Sequence, residues 1–218
     1  MSIAQPKHQK SIYFYSLCNE LLGSVASSPY LGVTLSDTLS PLQHSKAVAK
    51  ASRMLGFISR TLRSAPPKLK ELAYFSLCRS HLEYACQVWD PPENSQAANN
   101  IERIQRRAAR FVVNDRRQRS SVTAILQRLQ WEPLSSRRKN QRLVLLYQIR
   151  NNLVSVQLSD NLLSEGYRSR YRQFRTNTTV FRDSFLPRTI RDWNCLNQSI
   201  RDSDTTESFQ ERLPKALY

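Results

Sequence analysis

Arg103, Arg106, Arg107 and Arg110 follow one another at i, i+3, i+4 and i+7, the spacing that sets side chains on one helical face. Ile101, Ile104, Ala108, Phe111 and Val112 fall on the opposite face, so an amphipathic helix is predicted over about 95–113 with its arginine stripe turned outward. A charged stripe is most simply a solvated face, but this one has no interleaved acids, since Glu102 lies toward its edge. Four like charges repel unless an anion joins them, and a guanidinium holds phosphate oxygens bidentately. The chemistry suited to such a row is the gripping of a phosphate backbone.

The row belongs to a larger field. Of the +16 formal charge, +13 lies between residues 101 and 182, where eighteen Arg or Lys face five acids. Arginine outnumbers lysine 25 to 8 over the 218 residues, and a concentrated arginine field is the footprint of nucleic-acid binding. Arg137, Arg138 and Arg142 would extend the track. Arg170, Tyr171, Arg172, Phe174 and Arg175 interleave cations with rings, as single-strand binders do when arginines follow phosphates and aromatics stack on bases. Tyr171 and Phe174 are the stacking candidates.

Catalytic groupings are harder to find. Metal-dependent nucleotidyl transfer needs paired carboxylates, and no Asp-Asp pair occurs; Asp202-Ser203-Asp204 is the nearest approach, in a polar stretch. Only four glycines are present and no glycine-rich phosphate loop can be written. His8, His44 and His81 stand beside no nucleophile motif. Cys18, Cys78, Cys86 and Cys195 form no CxxC pair, which fits reduced thiols better than a zinc site or a disulfide scaffold. Neither catalytic residues, nor metal ligands, nor a cofactor are expected. The apolar run Ser11–Leu17 is short for a secretory signal and no run approaches a membrane span, so the expected location is intracellular, nuclear or cytoplasmic, with no membrane partner.

The elements that must carry these side chains are mostly helices. Ser11–Leu17 and Tyr30–Leu35 read as two strands of an antiparallel hairpin turning through Gly23…Pro29. Ser40-Pro41 opens a helix over Leu42–Arg63; Pro66-Pro67 ends it and starts a second over about 68–88. After the arginine helix come a short helix at Ser121–Leu129 and one at Leu134–Asn151. That last segment is apolar nearly all round at Leu143–Ile149, which predicts a central helix whose basic end leaves the core. Cations at its N-terminus oppose the helix dipole; a bound phosphate or tertiary acids would relieve them. Phe174–Phe181 reads as strand or extended loop, and two further helices are expected at 187–196, anchored by Trp193, and at 205–213.

Taken in order, Tyr30-Leu31-Gly32-Val33, Leu55-Gly56-Phe57, Leu82-Glu83-Tyr84-Ala85, Val88-Trp89-Asp90-Pro91, Ile104–Phe111, Leu129-Gln130-Trp131, Arg137-Arg138…Arg142-Leu143 and Phe185-Leu186-Pro187-Arg188…Asp192-Trp193-Asn194 resemble the region that follows the palm in reverse transcriptases of non-LTR (LINE-type, jockey-like) retrotransposons. The resemblance covers roughly residues 28–196. It implies that Tyr30, Leu31 and Gly32 form a primer-grip-like turn and that the helices over about 41–113 are thumb-like and clamp a template–primer duplex. It also implies that the catalytic Asp-Asp motif, and the magnesium it would hold, belong to a palm upstream of Met1.

The fold expected is mainly α with a small β-hairpin at the N-terminus. It divides into a residual palm or primer-grip-like hairpin (1–36), a thumb-like bundle (37–115) and a basic C-terminal helical region (116–218). The expected activity is non-sequence-specific binding of RNA, RNA–DNA or DNA duplex by a chain that catalyses nothing itself. A pseudogene-like product without a role, and a stand-alone helical DNA-binding protein, are the alternatives.

Overall fold

The computed structural model describes residues 15–36, 42–115, 120–156, 163 and 166–216. It is mainly helical with small antiparallel hairpins at its N-terminal end. The strands differ from expectation in their pairing. β1 (Ser16–Leu17) pairs with β2 (Glu20–Leu21), and β3 (Ser27–Tyr30) pairs separately with β4 (Val33–Ser36). Each pair closes through two residues at positive φ, Cys18-Asn19 and Leu31-Gly32, as tight two-residue hairpin turns require. Local closure therefore replaces the single long hairpin, and the candidate strand residues before Tyr15 lie outside the described residues.

α1 (Leu42–Thr61) keeps Ala47, Ala51, Leu55 and Ile58 in the core at steps of three and four. The second expected helix is divided. α2 (Pro67–Tyr74) runs into a π-turn at Phe75–Arg79, then α3 (Ser80–Glu83), and Ala85 in left-handed geometry separates this from α4 (Cys86–Trp89). The sequence contains the cause: Lys70, Tyr74, Cys78, Leu82 and Cys86 are all fully buried at strict four-residue steps. In an α-helix each such step overshoots a full turn by about 40°, and the wider i→i+5 winding of the π-turn takes that drift back.

α5 (Gln96–Val112), α6 (Val122–Arg128) and α7 (Leu134–Arg150) follow, the first two capped by Ser95 and Ser121. Beyond them lie α8 (Thr179–Arg182), α9 (Phe185–Asn194), α10 (Gln198–Arg201) and α11 (Thr206–Ala216). α8 departs from the strand or extended loop expected over Phe174–Phe181: Thr178 Oγ1 accepts from the Phe181 N–H at 3.3 Å and starts a helical turn there. α10, also a single turn, is too short for periodicity to announce it.

Two apolar clusters form. The first joins Val33 of β4 to α1–α5, Ile125, Trp131 and Leu134; the second joins Leu143, Leu146 and Tyr147 to Tyr171, Trp193 and Phe209. Tyr74 stacks on Trp131 at 4.8 Å in one, and Tyr147 on Phe209 at 4.5 Å in the other. The division between the cores thus falls within α7, between Leu134 and Leu143, well past residue 115. Among the described residues no helix is long and apolar enough to cross a membrane.

Candidate nucleic-acid interface

α5 is positioned by its buried face, where Ile101, Ile104, Gln105, Ala108, Ala109 and Val112 meet the first core. Arg103, Arg106 and Arg107 consequently stand in solvent, and Arg110 is half-buried. Arg107 reaches Ser52 Oγ on α1 at 3.3 Å, and Arg110 donates to the Ser120 carbonyl at 3.4 Å. Among the described residues no carboxylate pairs with any of the four. The nearest acid in sequence is occupied elsewhere: Glu102 accepts the backbone N–H of Ser135 at 2.7 Å and of Leu134 at 3.3 Å. Gln105 Oε1 accepts from Leu134 as well. α7 begins after Pro133, which offers no side-chain cap; α5 supplies acceptors for its first amides, and a carboxylate there also suits the positive end of the helix dipole.

A second basic row, not foreseen, lies on α1. Lys46, Lys50, Arg53 and Arg60 are spaced 4, 3 and 7 apart, and with Arg63 just beyond the helix all five are exposed. From Lys46 to Arg60 the helix rises ~21 Å, the span of about six phosphates along one duplex strand. At one end a cavity of about 360 Å³ holds Thr34, Lys46, Lys50, Arg53 and His81 beside Gly32. At the other a cavity of about 540 Å³ is lined by Ser59, Arg60, Arg63, Arg110 and Phe111. Its residues follow the same helical spacing as the α5 row, but the small net charge of residues 1–100 masks them in the sequence.

The hairpin turn sits at the first of these cavities. Tyr30 and Leu31 are exposed, and Gly32 holds φ +79, where a Cβ would come within 3.4 Å of the Tyr84 ring. Tyr84 Oη donates to the Leu31 carbonyl at 2.7 Å, and Lys46 Nζ to Thr34 Oγ1 at 2.7 Å, tying β3–β4 to α3 and α1.

The remaining predicted residues separate sharply. Arg138 and Arg142 are each 1% exposed and cannot meet a phosphate. Asp90, its side chain 4% exposed, receives Arg138 Nε at 2.8 Å, Arg142 Nε at 2.9 Å and Arg188 Nη1 at 3.3 Å. Arg142 also reaches Asp192 at 3.1 Å, and Lys139 pairs with Asp192 at 3.3 Å. Arg137 makes a two-pronged bond to Glu83, which holds its guanidinium above the usual arginine range. Burial, with Arg188 close by, pulls Arg142 the other way against Asp90 and Asp192. Arg138 and Arg142 therefore stay in the interior, Arg137 and Lys139 stand half-buried at its edge, and tertiary acids answer all four. Concentrated charge in sequence had suggested a continuous surface track.

Tyr171 is also withdrawn from any base: it is buried, packs on Trp193 with centroids 6.0 Å apart, and has its backbone bracketed by the Asn194 amide. Phe174 is half-buried against Phe181. Arg170, Arg172 and Arg175 are exposed. Burial pushes the Cys78 thiol up to about 11 and that of Cys86 to about 12, so both are inert near neutrality. Among the described residues no group of His, Cys, Asp and Glu is arranged to hold a metal ion. Set against models of protein families, curated proteins and solved structures, the chain matches none.

Proposed function

We propose that this chain binds the sugar–phosphate backbone of RNA, RNA–DNA or DNA duplex, without reading sequence and without a catalytic step of its own. In this reading it is the thumb-like and following region of a non-LTR retrotransposon reverse transcriptase, working in the nucleus or cytoplasm. The observation that carries it is the pair of rows on α1 and α5. Arg103, Arg106 and Arg107 with Lys46, Lys50, Arg53 and Arg60 are exposed cations, while those of α7 and α9 that carry the polar core are consumed by internal acids. A second support is the convergence of segments on which the resemblance rests: Asp90, Arg138, Arg142, Arg188 and Asp192 meet in one buried cluster.

The test is the salt dependence of affinity for a fluorescent RNA–DNA duplex. Changing Arg103, Arg106 and Arg107 together to Gln should flatten the slope of log K against log salt by about 0.7–0.9 per lost phosphate contact. An unchanged slope refutes the reading.

One observation favours the alternative of a product without a role. Leu69, Leu72, Leu77, Tyr84 and Val88 are exposed along the α2–α4 segment, and Leu17, Leu21, Tyr30 and Leu31 on the hairpins, apolar surface that a lone soluble chain ordinarily covers. Urea unfolding without a cooperative transition would speak for that alternative.

A further inference from the structure

A groove along α7 is built from two adjoining cavities that share Gln87 and Leu145. The first, about 370 Å³, is lined by carboxamides: Gln87, Asn140, Gln141, Gln148 and Gln210. Gln141 Oε1 accepts from the Cys86 thiol at 2.8 Å, but the side chains of Gln87, Gln148 and Gln210 bond to no described residue. Asn140 Oδ1 is buried without a partner, an acceptor that costs free energy until a donor meets it. Arg137 at its wall is answered by Glu83, which leaves Glu132 as a charge on the rim, and the carboxamides themselves suit a neutral group carrying donors and acceptors side by side. The second cavity, about 530 Å³, is walled by Phe174, Phe181 and Phe185 over Ile149 and Pro187. Phe174 and Phe181 meet edge-on, centroids 5.8 Å apart at 72°, and Phe181 is 41% exposed.

We infer that this groove receives the unpaired bases of single-stranded nucleic acid. An aromatic slot beside neutral carboxamides meets both needs of a base, a π-face to stack on and an edge to hydrogen-bond. Arg172 and Arg175, exposed and without partners among the described residues, flank Phe174 in the chain and provide for the phosphates between stacked bases. A peptide would use the same carboxamides, but those two arginines favour the polyanion. The inference rests on the reading of the chain as a nucleic-acid binder, and locates on it a second, single-strand site.

Two probes separate the sites: a fluorescent twelve-nucleotide oligo(U) RNA and a twelve-base-pair RNA–DNA duplex, each titrated with the full chain. Phe181→Ala and Gln87→Ala should each weaken oligo(U) binding, the former by about tenfold, with duplex affinity within about twofold of wild type. Phe181→Tyr, which keeps the ring, should restore it. The α5 Gln variants should show the converse selectivity, so a failure of the duplex reading is distinguishable from a failure of this one. Wild-type oligo(U) affinity in both groove variants overturns the proposal. So does a Leu/Gln-rich amphipathic peptide whose binding is lost in those variants while oligo(U) binding persists.

Discussion

Asp90 Oδ2 accepts from Arg142 Nε at 2.9 Å with both side chains closed to water, 4% and 1% exposed. Asp90 ends α4 in the first core and Arg142 stands in α7 just before the second, so the contact joins the two halves of the molecule. Asp90→Asn would leave Arg138, Arg142 and Arg188 buried around a neutral group. Breaking a buried ion pair from one side costs about 3–5 kcal/mol, and urea unfolding of this variant should show a loss of that order.

The arginines divide into two functional populations, and the division is measurable. Arg106→Gln, at an exposed position, should leave the unfolding midpoint nearly unchanged while reducing the salt slope of nucleic-acid binding. Arg138→Gln should lower the midpoint through loss of its bond to Asp90 and leave the slope of the surviving folded protein unchanged. Paired urea and salt titrations on the two variants check both halves of this statement.

Glu102 should behave as a capping residue of a helix it does not belong to. Glu102→Ala removes acceptors for the Leu134 and Ser135 amides and should cost about 1 kcal/mol, as loss of an N-cap does. Glu102→Gln keeps an acceptor and should cost less. Urea unfolding of the two variants, compared with wild type, gives the order.

The thiols supply a pH dependence of definite sign. Cys78 and Cys86 titrate near 9 when unfolded and at about 11 and about 12 when folded, raised by burial. A group with a raised folded pKa binds its proton more tightly in the native state. Its contribution is thus complete below pH 9 and is lost as pH rises toward 11–12. Stability followed by urea titration should fall over that window, and less so in Cys86→Ser. In the native protein at pH 8, iodoacetamide should label Cys18 and Cys195, both exposed, and spare the buried pair.

Much of the helical layout was legible because it depends on local pattern. The apolar face of 101–112 and the prolines at 66 and 67 each act within a turn or two of themselves. The pairing of Leu17 with Glu20 and the break at Ala85 were less so, since a two-residue turn at Cys18-Asn19 and a left-handed alanine leave no periodic trace. The candidate site was half legible for a different reason. The stripe Arg103–Arg110 faces away from a recognisable apolar stripe, which determines its exposure. Arg138 and Arg142 lie on a helix apolar all round, so only the distant Asp90, 48 and 52 residues earlier in the chain, decides that they are interior. Tyr171 is withdrawn by Asn194 and Trp193, which are likewise remote in sequence.

The π-turn at Phe75–Arg79 has a bearing on how this chain can change in length. With one residue fewer, that stretch would close to ordinary α-winding, and Leu82, Cys86 and Trp89 would keep nearly their present bearing, because the wider turn carries one residue more through the same revolution. Asp90 would stay against its guanidiniums. The π-turn is thus a slack link: it takes up a surplus residue between the first core and the charge that fastens it to the second.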